Sequence, residues 1–160
     1  MDLQLNPTIN QIDMVKRTRA YLLSLVKDLS TEQLNLVPHG FNNNIIWNIG
    51  HMIAAQQGVC YVRAGLKVTI DEALFLAYKS DTKPLGAAEP GEIDSIKKLF
   101  LSSIDRFERD YQDHVFSHYI PWTTRYGIEL KNIDDVIQFL LYHEGLHLGY
   151  IMALRRVVAK

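Results

Sequence analysis

His143 and His147 stand one helical turn apart in Tyr142-His143-Glu144-Gly145-Leu146-His147-Leu148, late in the longest apolar-periodic segment of the chain. Residues at i and i+4 share one face of a helix, so both imidazoles can address a single metal ion. At about 100° per residue, Ile133, Val136, Leu140, His143, His147, Ile151 and Leu154 project to one side. The pair therefore interrupts an apolar stripe. Burying two imidazoles without partners is costly, and one ion satisfies both; hydrogen-bonded core histidines are the other reading. A third histidine, His51, lies in Asn44-Ile45-Ile46-Trp47-Asn48-Ile49-Gly50-His51-Met52. Its face also carries Asn44, Trp47, Asn48, Ala55, Gly58 and Val62, small and polar residues beside which a cavity can open, while Ile46, Ile49, Ile53 and Cys60 point away to pack. Of the six histidines, the other three, His39, His114 and His118, fall in or beside loops and read as surface residues or auxiliary proton carriers.

Glu144 makes His143-Glu144-Gly145-Leu146-His147 a formal match to the His-Glu-x-x-His pattern of zinc proteases, in which the glutamate activates the metal's water. The surroundings do not follow. None of the 13 residues after His147 is His, Asp or Glu, so no downstream ligand completes that site, and Tyr150 occupies the glycine position of the longer pattern. Glu144 is left with two readings: a catalytic group that orients a ligand or moves protons, or a partner in a salt bridge to Arg155 or another cation.

Four long helical patterns must position these groups. The first opens at Asn6-Pro7, a capping residue followed by proline, and continues through Ile12, Val15, Leu22, Leu25, Val26 and Leu29. Ser30-Thr31-Glu32-Gln33 fits a capping box ahead of a short helical turn. The second helix runs from about Asn43 or Asn44 to Gly65. Residues 66–90 are irregular, with a helical turn at Asp71-Glu72-Ala73-Leu74. A third helix carries Ile93, Ile96, Phe100, Ile104, Phe107 and Tyr111, and the fourth begins near Asn132. Between them, Ile120–Thr124 and Ile128–Leu130 flank Arg125-Tyr126-Gly127, a small β-hairpin or an extended loop. The expected fold is all-α: one domain over residues 1–160, a four-helix bundle with two long connections. Gly145, Gly149 and Ala153, four apart, predict a face that a helix of the bundle or of a partner subunit approaches closely, the latter as a homodimer.

A net charge of −1 argues against an electrostatic nucleic-acid binder, and no stretch approaches the roughly 18 apolar residues of a membrane span. Met1–Pro7 has neither the basic region nor the apolar run of a signal peptide, and Cys60, the lone cysteine, permits no intrachain disulfide. A cytoplasmic location is expected.

Leu29-Ser30-Thr31-Glu32-Gln33-Leu34, Ile46-Trp47-Asn48-Ile49-Gly50-His51-Met52, His143-x-x-x-His147-Leu148-Gly149 and Leu154-Arg155-Arg156 together resemble the DinB/YfiT-like superfamily of bacterial four-helix-bundle proteins. That family includes DNA-damage-inducible and bacillithiol-transferase members, and the likeness runs over nearly the whole chain. It implies a metal triad of His51, His143 and His147 holding zinc or nickel with an open position. It further implies a small-molecule substrate, a low-molecular-weight thiol deprotonated for S-transfer, conjugation or isomerisation. It implies no action on DNA. The chain departs from the family in Gly149-Tyr150, where many members have Gly-Gln, and in ending Val157-Val158-Ala159-Lys160 without the common Leu-Gly after the arginines. Those departures leave the ligands intact and bear on whether the family's substrate pocket carries over to this chain. Trp47 and Trp122 are candidate pocket walls or ordinary core residues; Glu144, His118 and Tyr119 are candidate proton carriers. Two alternatives remain: a hydrolase using metal-bound water, and a non-enzymatic metal-binding or stress-responsive interaction protein.

Overall fold

A computed structural model describes residues 7–159. The element order is α1 (Pro7–Leu25), α2 (Thr31–Asn35), α3 (Ile45–Gln56), α4 (Glu72–Tyr78), α5 (Pro90–Gln112), β1 (Trp122–Thr123), β2 (Glu129–Leu130) and α6 (Ile133–Val158). The long helices α1, α3, α5 and α6 form the bundle: α1 packs on α5 and α6, and α3 on α5 and α6. The all-α expectation holds, and the segment before the last helix is a hairpin of two-residue antiparallel strands pairing Trp122 with Leu130. Among the described residues no helix is long and apolar enough to cross a membrane.

The helix boundaries follow the capping chemistry of the sequence. Ser30 and Gln33 form the capping box at α2, the Gln33 N–H donating to Ser30 Oγ at 3.2 Å and the Ser30 N–H to Gln33 Oε1 at 2.9 Å. Asn44, Asp71 and Asn132 cap α3, α4 and α6, each side chain accepting a backbone N–H three residues on. Pro90 opens α5. The α1 cap expected at Asn6 lies outside the described residues. Past Gln56, α3 continues through a π turn (Gln57–Tyr61) and a 3-10 turn (Val62–Ala64), stopping at Gly65 with φ +75°. That left-handed conformation is one glycine adopts at little cost.

The core has two apolar clusters. One is fed by Leu22 of α1 and Val26 just beyond it, Ile45–Ala54 of α3, Ile93–Phe100 of α5 and Ile151–Val158 of α6. The other is fed by Ile12 and Val15, Cys60 and Tyr61, Ile104 and Phe107, and Ile133–Leu140. Buried polar residues fall between the two stretches: Arg19, Gln56 with Gln57 just beyond it, Ser103 and Glu144. The stripes on α1 and α6 are thus each broken by a charge, and the charges meet.

The face that carries Trp47, His51, Ala55, Gly58 and Val62 does open on a cavity, although every residue from Ile45 to Gln56 except Ala55 is buried. One expectation about helix faces changes. No bundle helix covers Gly145 and Gly149, both exposed with nothing within 4 Å of where a Cβ would stand. Of that expectation only a partner subunit remains.

Gly50 is the glycine that packing requires. A Cβ there would stand 2.5 Å from Cδ1 of Tyr78, whose ring is buried and whose hydroxyl donates to Glu92 at 2.8 Å. Gly50→Ala gains about 1 kcal/mol of helix propensity but overpacks at about 1–3 kcal/mol. With the ring held at both ends the clash prevails. A lower urea midpoint is expected, and a midpoint at or above wild type would show that Tyr78 yields freely.

Candidate metal centre

The bundle brings together the three histidines named from the sequence. One nitrogen from each of His51, His143 and His147 lies within 4.8 Å of the other two. Ring centroids are 5.5 Å apart for His51 and His143, 4.9 Å for His51 and His147, and 4.5 Å for His143 and His147. His51 is buried and the other two are half-buried. On α6 the fully buried position of this turn is Glu144, so the histidines stand at the edge of the core stripe rather than inside it.

Neighbouring groups set the rings for coordination. His51 Nδ1 lies 2.9 Å from the carbonyl oxygen of Tyr78, which can only accept, so this nitrogen carries the proton. Asn48 does the same for His147. Its amide nitrogen donates to Asn43 Oδ1 at 2.9 Å and to the Asn44 carbonyl at 2.7 Å, which leaves Oδ1 to accept from His147 Nδ1 at 2.9 Å. Both Nε2 atoms then keep free lone pairs, the tautomer a metal ligand needs. Trp47 lies flat on His51, centroids 4.9 Å apart and planes within 8°, and fixes the ring's tilt. Nδ1 of His143 is buried with no partner in the protein. Such an atom costs about 1–3 kcal/mol unless a ligand beyond the chain serves the ring. Three neutral nitrogens, an unsatisfied ring and an open side make a donor set that fits a divalent ion. The cluster can hold a metal ion.

The open side faces a cavity of about 830 Å³, lined by Trp47, Ala54, Ala55 and Gly58 of the α3 segment, by Trp122, Thr124, Arg125 and Tyr126 around the hairpin, and by Phe139, His143, Leu146 and His147 of α6. Trp47 and Trp122 both stand in its wall. The Trp122 indole N–H donates to the Tyr119 hydroxyl at 3.0 Å, and that hydroxyl donates to the Val59 carbonyl at 2.8 Å. Tyr119 is thereby occupied and does not line the cavity; His39, His114 and His118 are exposed and do not line it either.

Glu144 is not in the wall. Its carboxylate is 1% exposed and meets Arg19, itself 0% exposed, through Nη2 at 2.6 Å and Nε at 3.1 Å. Arg19 Nη1 also donates to Gln56 Oε1, the Phe100 carbonyl and Ser103 Oγ. The salt-bridge partner is thus a cation other than Arg155, which binds the Leu25 carbonyl and Asp28. Burial pushes the Glu144 carboxyl above its ordinary range, and the guanidinium draws it back.

Burial also holds His143 down to about 3 and His147 to about 4, from 6.5, with His51 lowered for the same reason. In the metal-free protein the sign is fixed. Below pH 6.5 the unfolded chain takes up protons that the folded histidines refuse, so stability falls with pH by about 1.4 kcal/mol per unit for each histidine. The full contribution is present above 6.5 and is lost progressively towards 4 and 3. Urea midpoints of metal-free protein at about pH 7 and about pH 5 should diverge more for wild type than for a His143→Gln, His147→Gln variant. The comparison cancels the opposing trend of Glu144; equal divergence would mean the rings are protonated in the fold.

Sequence reasoning missed Asn48 as a ring-orienting group, the Tyr78 carbonyl, and Arg63 and Arg125 at the cavity. Asn48 carried a signal, three residues before His51 on the same face. The others lie in or at the ends of segments without periodicity. No curated protein matches the chain. The family model of the DinB superfamily matches residues 14–151.

Proposed function

The chain belongs to the DinB superfamily, and from that premise and the histidine geometry we propose a metal-dependent enzyme that activates a low-molecular-weight thiol for transfer to an electrophile. The observation that carries the reading is a triad with two imidazoles held in the ligating tautomer, open on one side to a cavity of substrate size. Bound there, a zinc or nickel ion supplies the positive charge that stabilises a thiolate at neutral pH. His51, His143 and His147 hold the ion, while Asn48 and the Tyr78 carbonyl orient two of the rings. Trp47 and Trp122 wall the cavity and restrict water. In the reaction the thiol's proton leaves to solvent and its sulfur bonds to an electrophilic carbon. The bond from that carbon to its leaving group breaks, and the leaving group departs with the electron pair. We assign Glu144 to the core beside this site: its oxygens serve Arg19, and a proton passing through it would break a buried ion pair.

Cobalt-substituted protein tests the reading. Titration with L-cysteine or 2-mercaptoethanol should produce a saturable sulfur-to-cobalt charge-transfer band, lost in His147→Gln. Cobalt uptake with no spectral response to either thiol would remove the thiol from the proposal and leave a metal-binding protein.

A further inference from the structure

The chain carries 17 basic and 18 acidic side chains, yet three cations, Arg63, Lys79 and Arg125, and one carboxylate, Asp81, line the cavity beside the histidines. Among the described residues six cations elsewhere, Lys16, Arg17, Arg19, Arg106, Lys131 and Arg155, each meet a carboxylate. None of the three cavity cations does. Arg63 is held in place all the same, its guanidinium 4.7 Å over the Trp122 ring, which fixes the plane while leaving its N–H groups free of any anion. Arg125 sits in the turn between β1 and β2 and lines the same cavity as His51 and His143. Unpaired cations facing a site built for a divalent cation repel it, and an anion between them relieves both.

The rest of the wall is apolar. Trp122 and Phe139 stand edge to face, centroids 6.4 Å apart, with Leu146 and Phe75 also lining the cavity. Phosphate sites commonly use backbone N–H groups at a helix start. Here the lining residue nearest a helix start is Trp47, whose N–H is already given to Asn44. The planar guanidinium fork matches a carboxylate in two parallel bonds.

We propose that this cavity takes a carboxylate-bearing small molecule with a flat apolar body. The carboxylate is held by Arg125 and Arg63, and the body lies against Trp122, Phe139 and Leu146. This names the substrate class of the site proposed above and rests on that reading only for what reaction follows. The probes are trans-cinnamate and its uncharged counterpart cinnamamide, titrated by calorimetry into metal-free and zinc-loaded protein. Wild type should prefer cinnamate by about 10-fold or more even without metal. Arg125→Gln, an exposed substitution that leaves the core untouched, should bring the two Kd values together, and Arg63→Gln should narrow the gap. Equal or absent binding of the two probes to wild type overturns the proposal. So does a preference present only with zinc and unmoved by Arg125→Gln, which would make the carboxylate a metal ligand and leave the metal reading standing. No zinc uptake with the arginine-dependent preference intact has the opposite meaning: the anion site stands and the metal-dependent reading falls.

Discussion

Replacing His143 and His147 together by glutamine should abolish metal uptake and remove the thermal stabilisation expected of zinc on the wild type. An ion held by the three histidines would join α3 to α6, and the unfolded chain has no preformed site for it. Binding is therefore folding free energy: at zinc about 1,000-fold above Kd the native state gains about 4 kcal/mol. For a chain of this length that is a rise in Tm of roughly 8–16 °C. In the double variant only His51 remains, and the shift vanishes while the far-ultraviolet circular dichroism of the bundle persists. Mass-spectrometric metal analysis and melting curves with and without zinc read both effects. A wild type that takes up no zinc, or a variant whose shift matches it, would mean that these rings are core histidines.

The second large effect lies in the polar belt. Glu144→Leu strands a guanidinium in a site that is 0% exposed, and breaking a buried pair from one side costs about 3–5 kcal/mol. That is a large share of the roughly 5–15 kcal/mol that holds a domain folded. Arg19→Met, Glu144→Leu removes both charges and fills the volume with apolar atoms, so it should be more stable than Glu144→Leu alone. Gln56 and Ser103, which lose the Arg19 donor, keep the double variant below wild type. Urea denaturation of the four proteins gives the coupling directly, expected at about 2–3 kcal/mol. Additive losses would show that the carboxylate and guanidinium are solvated independently. Zinc binding retained in the refolded double variant would further separate Glu144 from the chemistry of the site.

Much of this arrangement was open to reading because helices advertise themselves by period. The apolar spacing of α5, the caps at Ser30, Asn44 and Asn132, and the pair His143 and His147 are local signals, and local physics placed them. The belt was half legible. Position 19 falls where the stripe Ile12, Val15, Leu22, Val26 calls for an apolar residue, and Glu144 breaks Leu140 and Ile151 in the same way. Opposite charges at core positions of two helices announce one another, yet a projection of α6 alone points Glu144 inward without saying towards what. The cavity rim was not legible. Arg125 reaches it from a turn and Lys79 from the end of α4, segments whose course is decided by tertiary packing rather than by any repeat. The uncovered face at Gly145 and Gly149 shows the converse: small residues permit a close approach but do not supply the neighbour.

The carbonyl that orients His51 belongs to Tyr78, the last residue of a helix only seven residues long whose other positions are exposed or half-buried. Short, solvent-facing elements of this kind occupy the low end of a protein's opening free energies. Whenever α4 frays, His51 loses the acceptor that fixes its proton on Nδ1, and the ring is free to turn away from its two partners. An ion held at the centre would then have a dwell time coupled to the breathing of α4, so exchange of one metal for another would follow motion at the surface of the molecule. Loading the site should correspondingly slow hydrogen exchange at the amides of residues 75–79, at the far side of the ring from the ion.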